Sequence, residues 1–78
     1  MDIGSRMRAG RKALGKTQER IARESGLSLN VIARLERGEI ENPHVATLAA
    51  VAAALDLPTS ALLGEAPSGP EPALAGKA

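Results

Sequence analysis

Between residues 17 and 38 the chain reads TQERIARESGLSLNVIARLERG, and the side chains there best suited to chemistry are the amide of Asn30 and the guanidinium groups of Arg34 and Arg37. These are hydrogen-bonding groups with no nucleophile set beside a base, so the chemistry they offer is recognition. Nothing elsewhere competes. The carboxylates are scattered over polar helix faces, and the chain has no phosphate-cradling glycine loop. It also has no cysteine for thiol catalysis, a thiolate zinc site or a disulfide. The single histidine, His44, cannot build a metal site alone. Neither an enzyme nor any metal or cofactor is expected.

Two short helices must position those groups. Thr17 and Ser28 stand where an N-cap belongs, each able to accept from an otherwise unpaired amide in the first turn. Gly15, Gly26 and Gly38 follow the apolar periodicity where a chain leaves a helix in the left-handed conformation. Leu27 before the Ser28 cap and Ile32 within the helix are spaced as a hydrophobic staple, which sets the angle between the two helices. In the second helix Ile32 and Leu35, with Val31 adjoining, form an inward stripe. Leu29, Asn30, Ala33, Arg34 and Arg37 fall on the other side. Ile21 and Ala22 face inward from the helix before it, and Ala22 is small enough to allow a close crossing. This layout fits a helix-turn-helix and points to DNA. An ordinary hairpin with a solvated face would not require caps, glycines and core in this joint spacing.

The remaining chain supplies a frame. Seventy-eight residues make at most one small domain, with a core of Leu, Ile, Val, Met and Ala and no aromatic. The spacing predicts a first helix over residues 3–14 with Ile3, Met7 and Leu14 on one face, weakened at Gly10 by about 1 kcal/mol relative to alanine. A loop follows Gly38, because Pro43 disfavours helix at Asn42. A fourth helix is expected over residues 44–55 with Val45, Leu48, Ala52 and Leu55 inward, Val51 beside them, and an alanine stripe of Ala46, Ala49, Ala50 and Ala53 outward. Pro58 opens a short fifth helix through Leu62 and Leu63. Residues 1–64 are read as the domain and 65–78, with three prolines and two glycines, as a disordered tail or linker. The longest apolar run, residues 48–55, is too short to span a membrane, and the early charges Asp2, Arg6 and Arg8 do not resemble a signal peptide. A cytoplasmic protein is the expectation. The net charge is only +1, yet residues 1–37 hold nine Lys or Arg against four acids, and residues 38–78 hold one against five. The helix-turn-helix thus lies in or next to the basic half.

With five helices in this order, the string TQERIA, SGLSLNVIARLERG and the following proline resemble the lambda repressor and Cro family, the Xre-type helix-turn-helix regulators of bacteria and their phages. The resemblance covers residues 3–63, and Gln18, Ala22, Gly26, Ile32, Glu36 and Gly38 match the family motif without a gap. It implies an all-α, compact five-helix bundle of the lambda-repressor-like DNA-binding type, with the helix-turn-helix at helices 2 and 3. It also implies a regulator, a repressor or autoregulator, whose second motif helix enters the major groove of a double-stranded operator, commonly as a homodimer. By the same resemblance, base contacts fall on Leu29, Asn30, Ala33 and Arg34. The chemistry agrees: Arg34 suits guanine O6 and N7, Asn30 suits adenine N6 and N7, and Leu29 or Ala33 suits a thymine methyl. Phosphate contacts fall on Gln18, Arg37 and Asn42, and Arg11 with Glu36 resembles the family's structural pair between helices 1 and 3.

Three departures stand out. Gly10 occupies a position that is usually apolar in the family, and Lys16 replaces the usual apolar residue before the helix-2 cap, so any staple to Ile21 must use a lysine stem. Glu39 and Glu41 lie where phage members often carry basic residues, and acids there repel the DNA backbone. The alternative from another class is a protein-interaction module, such as the toxin-binding antitoxin of an operon pair, with or without promoter binding. The alanine stripe and the proline-rich tail would then matter most.

Overall fold

The computed structural model of the chain describes residues 2–64, and the tail expected over residues 65–78 lies outside them. Five helices follow one another: α1 (Ile3–Ala13), α2 (Gln18–Ser25), α3 (Leu29–Glu36), α4 (Val45–Ala54) and α5 (Thr59–Leu63). No strand occurs among the described residues. The fold is the all-α bundle expected, with the helix-turn-helix at α2 and α3.

Side-chain caps start the first three helices. Asp2 accepts from the Ser5 amide at 2.8 Å, Thr17 from Arg20 at 3.1 Å and Ser28 from Val31 at 3.1 Å. The helix ends share one device. At Gly26 (φ 77°) the chain turns left-handed and the Leu27 amide reaches back to the Ala22 carbonyl at 3.1 Å, a Schellman closure that satisfies an orphan carbonyl. After α4 the left-handed position is taken by Asp56 (φ 58°), with Leu57 N–H bonded to Ala52 O at 2.9 Å. Aspartate is one of the few side chains that visits this region, and its presence hid the stop signal that glycine displays elsewhere.

The core lies where α1, α2, α3, α4 and α5 converge. Met7, Ile21, Ile32, Leu35, Val51 and Leu62 are sealed from solvent, joined by Ala22, Leu48, Ala52, Ala54 and Leu55. Leu27, Val31, Ile40 and Leu57 pack on its margin. Without aromatics, burial must come from small side chains and close helix approach. Two residues expected inside are not. Val45 is 77% exposed, as the first residue of α4, and the helix first meets the core at Leu48. Leu14 is 42% exposed, since α1 ends at Ala13 and Leu14 caps the helix as the chain unwinds toward Gly15. The outward alanines Ala46, Ala49 and Ala53 are exposed as expected, with Ala50 half-buried.

Two glycines in α1 have opposite reasons for being there. A Cβ on Gly4 would stand 2.6 Å from the Glu36 carbonyl oxygen and nearer still to that of Leu35, so only glycine lets α1 cross the end of α3. A Cβ on Gly10 would meet only the flexible tip of Leu57, at 3.1 Å, with Leu55 behind it. These two leucines fill the space that the usual apolar residue would take. Gly4→Ala is therefore expected to destabilise by on the order of 2 kcal/mol or more through backbone displacement. Gly10→Ala is expected to stabilise by up to about 1 kcal/mol through helix propensity. Thermal melting followed by circular dichroism checks the pair; a lower melting temperature for Gly10→Ala would mean that Leu57 cannot give way.

Candidate nucleic-acid interface

The interface rests on a helix held at both ends. At its start, α3 is tied by the Ser28 cap and by Ser25, whose Oγ accepts from the Leu27 amide at 3.3 Å and donates to the Ala22 carbonyl at 3.2 Å. Along its inner side, Ile32 and Leu35 anchor it in the core. At its end stands Glu36, whose side chain is only 5% exposed. Its carboxylate accepts from Arg11 Nε at 2.7 Å and Nη2 at 3.1 Å, and from Gln18 Nε2 at 3.0 Å. Arg11 Nη1 donates in turn to the Lys16 carbonyl at 2.9 Å. One carboxylate thus connects α1, the α1–α2 turn, the first residue of α2 and the last residue of α3. The hydrogen bonds that Arg11 donates to Glu36 raise the Arg11 pKa above its ordinary value, against the opposing effect of burial.

Lys16 has a second structural role. Its stem is largely buried, and its ammonium donates to Glu24 at 2.7 Å and to the Ala54 carbonyl at 3.0 Å. It therefore caps the last turn of α4, where free carbonyls and the helix dipole favour a cation. Bonds from Lys16, then Arg20, hold the Glu24 carboxyl below its usual pKa. An apolar residue in that place could make neither bond.

The outer side of α3 is open. Leu29 is 43% exposed, Asn30 and Arg34 are exposed, and Ala33 is half-buried between them and the core. Arg37 is the exposed C-cap of α3, and Asn42 is exposed in the loop that leads to α4. Gln18 lies apart at the start of α2, half-buried, with one amide hydrogen committed to Glu36. Glu39 differs from its sequence reading as a plain repulsive charge. It pairs with Arg37 at 2.7 and 3.3 Å and lies 3.6 Å from Arg34 Nε.

The comparisons with known proteins agree with this geometry. A helix-turn-helix family model matches residues 7–62, which takes in all of α2, α3 and α4. The chain belongs to the helix-turn-helix family of the Xre and lambda-repressor type. Members of that family are DNA-binding regulators. An immunity repressor protein of Bacillus phage phi105 is 42% identical over 65 residues, covering 83% of this chain. The chain spans 44% of that relative's length. Among solved structures, the P22 c2 repressor in complex with a synthetic operator is similar at a TM-score of 0.75 and 35% identity, covering 81% of this chain and 94% of that one. The restriction-modification controller protein C.AhdI of Aeromonas hydrophila follows at 0.74 and 34%, covering 78% and 91%. SinR, a master regulator for biofilm formation solved in complex with DNA, stands at 0.74 and 30%, covering 77% and 95%. No helix among the described residues is long and apolar enough to cross a membrane.

In this helix-turn-helix domain the Glu36 cluster ties the end of α3 to α1 and to the start of α2. Glu36→Ala strands a nearly buried arginine and releases Gln18, and is expected to cost on the order of 3 kcal/mol. Glu24→Ala, which breaks a half-exposed pair, should change the melting temperature far less. Equal melting temperatures for the two variants would show that the Arg11–Glu36 pair does not hold the bundle.

Proposed function

We propose that this chain is a sequence-specific, double-stranded DNA-binding transcriptional regulator, a repressor or autoregulator, that lays α3 in the major groove. The observation that carries the proposal is the outer face of α3: Leu29, Asn30 and Arg34 project from a helix whose other side is fixed in the core and whose ends are both tied. A rigid mount is what base readout needs, because a bidentate contact discriminates only while its geometry is kept. The immunity repressor relative and the operator-bound c2 repressor support the same reading.

In this reading Arg34 donates in fork fashion to guanine, Asn30 pairs with adenine, and Leu29 with Ala33 contacts thymine methyl groups. Gln18, Arg37 and Asn42 take backbone phosphates and set the register. The second amide hydrogen of Gln18 is the one left for a phosphate, the first being bonded to Glu36. The chain acts by occupancy, as a homodimer on a two-fold operator, and performs no chemical step. A protein-partner reading, such as an antitoxin, is favoured by the exposed apolar face of α4 at Val45, Ala46, Ala49 and Ala53. That face is also compatible with a second copy of the chain.

Selection of bound duplexes from a random pool at two salt concentrations tests the proposal. A shared half-site supports it, and its symmetry reports the dimer. Absence of any enrichment, with binding lost as salt rises, would overturn it. Arg34→Ala is expected to abolish preference at one base pair, worth about 1 to 3 kcal/mol, while random DNA is bound nearly as before. Equal weakening on both would reassign Arg34 to phosphate.

A further inference from the structure

The loop after α3 places a carboxylate where neither helix stability nor DNA affinity asks for one. Gly38 (φ 77°) closes α3 with a Schellman turn in which its own amide bonds the Leu35 carbonyl at 3.1 Å and the Glu39 amide bonds the Arg34 carbonyl at 3.0 Å. Those two backbone bonds bring Glu39 back over the last turn of α3, beside Arg34 and Arg37. A negative charge at a helix C-terminus opposes the helix dipole, and a negative charge beside the expected phosphate path opposes the DNA. Glu39 is nevertheless fully engaged: Arg37 meets both its oxygens, and Arg34 approaches by its Nε edge at 3.6 Å. Its carboxyl is held below its ordinary pKa by the Arg37 bonds first and by the Arg34 charge in addition, so it stays ionised at neutral pH.

The two arginines are engaged differently. Arg37 offers Glu39 its Nε and Nη2, the edge it would offer a phosphate. Arg34 comes no nearer to Glu39 than 3.6 Å, with Nε its nearest atom, and its guanidinium makes no hydrogen bond among the described residues. The Nη end, the fork that fits guanine O6 and N7, is thus left without a partner among the described residues.

We propose that Glu39 is a specificity-determining positioning residue, which braces Arg34 from its Nε side so that its Nη fork meets a base in one orientation, and which competes with the backbone phosphate for Arg37, weakening that contact without removing it. This rests on the reading of Arg34 as a base contact. Glu39 lowers overall affinity and raises discrimination: a braced guanidinium loses its bonds at a wrong base, whereas a free one turns to the nearest phosphate.

The test uses Glu39→Gln, Arg34→Ala and the double variant in the full chain, with affinities measured for the selected duplex, for single-base changes in it and for random DNA. Both positions are exposed, and circular dichroism checks that each variant folds. Glu39→Gln is expected to tighten binding to random DNA several-fold and to reduce discrimination at the base pair read by Arg34 by about threefold to tenfold, with other positions unchanged. In the Arg34→Ala background the same substitution should leave discrimination where it is. If Glu39→Gln tightens specific and random duplexes by one factor and discrimination is kept, Glu39 is only a repulsive charge and the brace is overturned while the base contact stands. If Arg34→Ala alone leaves discrimination intact, the base contact and the brace fall together.

Discussion

The Glu36 carboxylate is the constraint on which the rest of this small bundle depends. It ends α3, it is nearly buried, and every partner it has comes from another element: Arg11 from α1 and Gln18 from the start of α2. A carboxylate withdrawn from water is unfavourable unless its lone pairs are met, and here three donors meet them. The Arg11 guanidinium is in turn shared with the Lys16 carbonyl, which fixes the turn into α2. Because the core contains no aromatic side chain to set helix positions by bulk, this polar junction and the glycine crossing at Gly4 define where α3 lies relative to α1.

Backbone closure complements that junction. Where α2 and α3 end, a left-handed glycine turns the next residue back onto the helix, and each time the returning residue is put to use. Leu27 returns to the core margin and leads directly to the Ser28 cap, while Glu39 returns to the arginines of the outer face. A single turn geometry therefore carries an apolar contact in one place and an electrostatic one in the other. The choice between them is made only by the residue that follows the glycine.

The charge distribution also gains meaning from the fold. The basic first half of the chain is partly consumed internally: Arg11 serves Glu36, Lys16 serves Glu24 and the end of α4, and Arg6 donates to the Leu62 carbonyl at 3.3 Å. What remains for a polyanion is smaller than the count of lysines and arginines suggests. Specificity in such a surface depends more on how each free arginine is oriented than on how many there are.

Sequence alone determined the helices, their starts and most of their ends, since caps, glycines and a 3.6-residue apolar period are local signals in TQERIARESGLSLNVIARLERG. It also determined which side of α3 faces out, because Ile32 and Leu35 claim the other side. Several features needed the tertiary structure. Nothing local explains Gly4, whose place in α1 is set by the carbonyls of Leu35 and Glu36 that lie against it. Val45 matches the inward period but stands exposed at the first residue of α4. Lys16 departed from an apolar pattern because it caps a helix 38 residues later in the chain. The pairing of Glu39 with Arg34 and Arg37 arises from a backbone turn that a charge count cannot see. Periodicity and capping are written in neighbouring residues, whereas close approach, overhang and charge pairing depend on where distant segments arrive, which only packing decides.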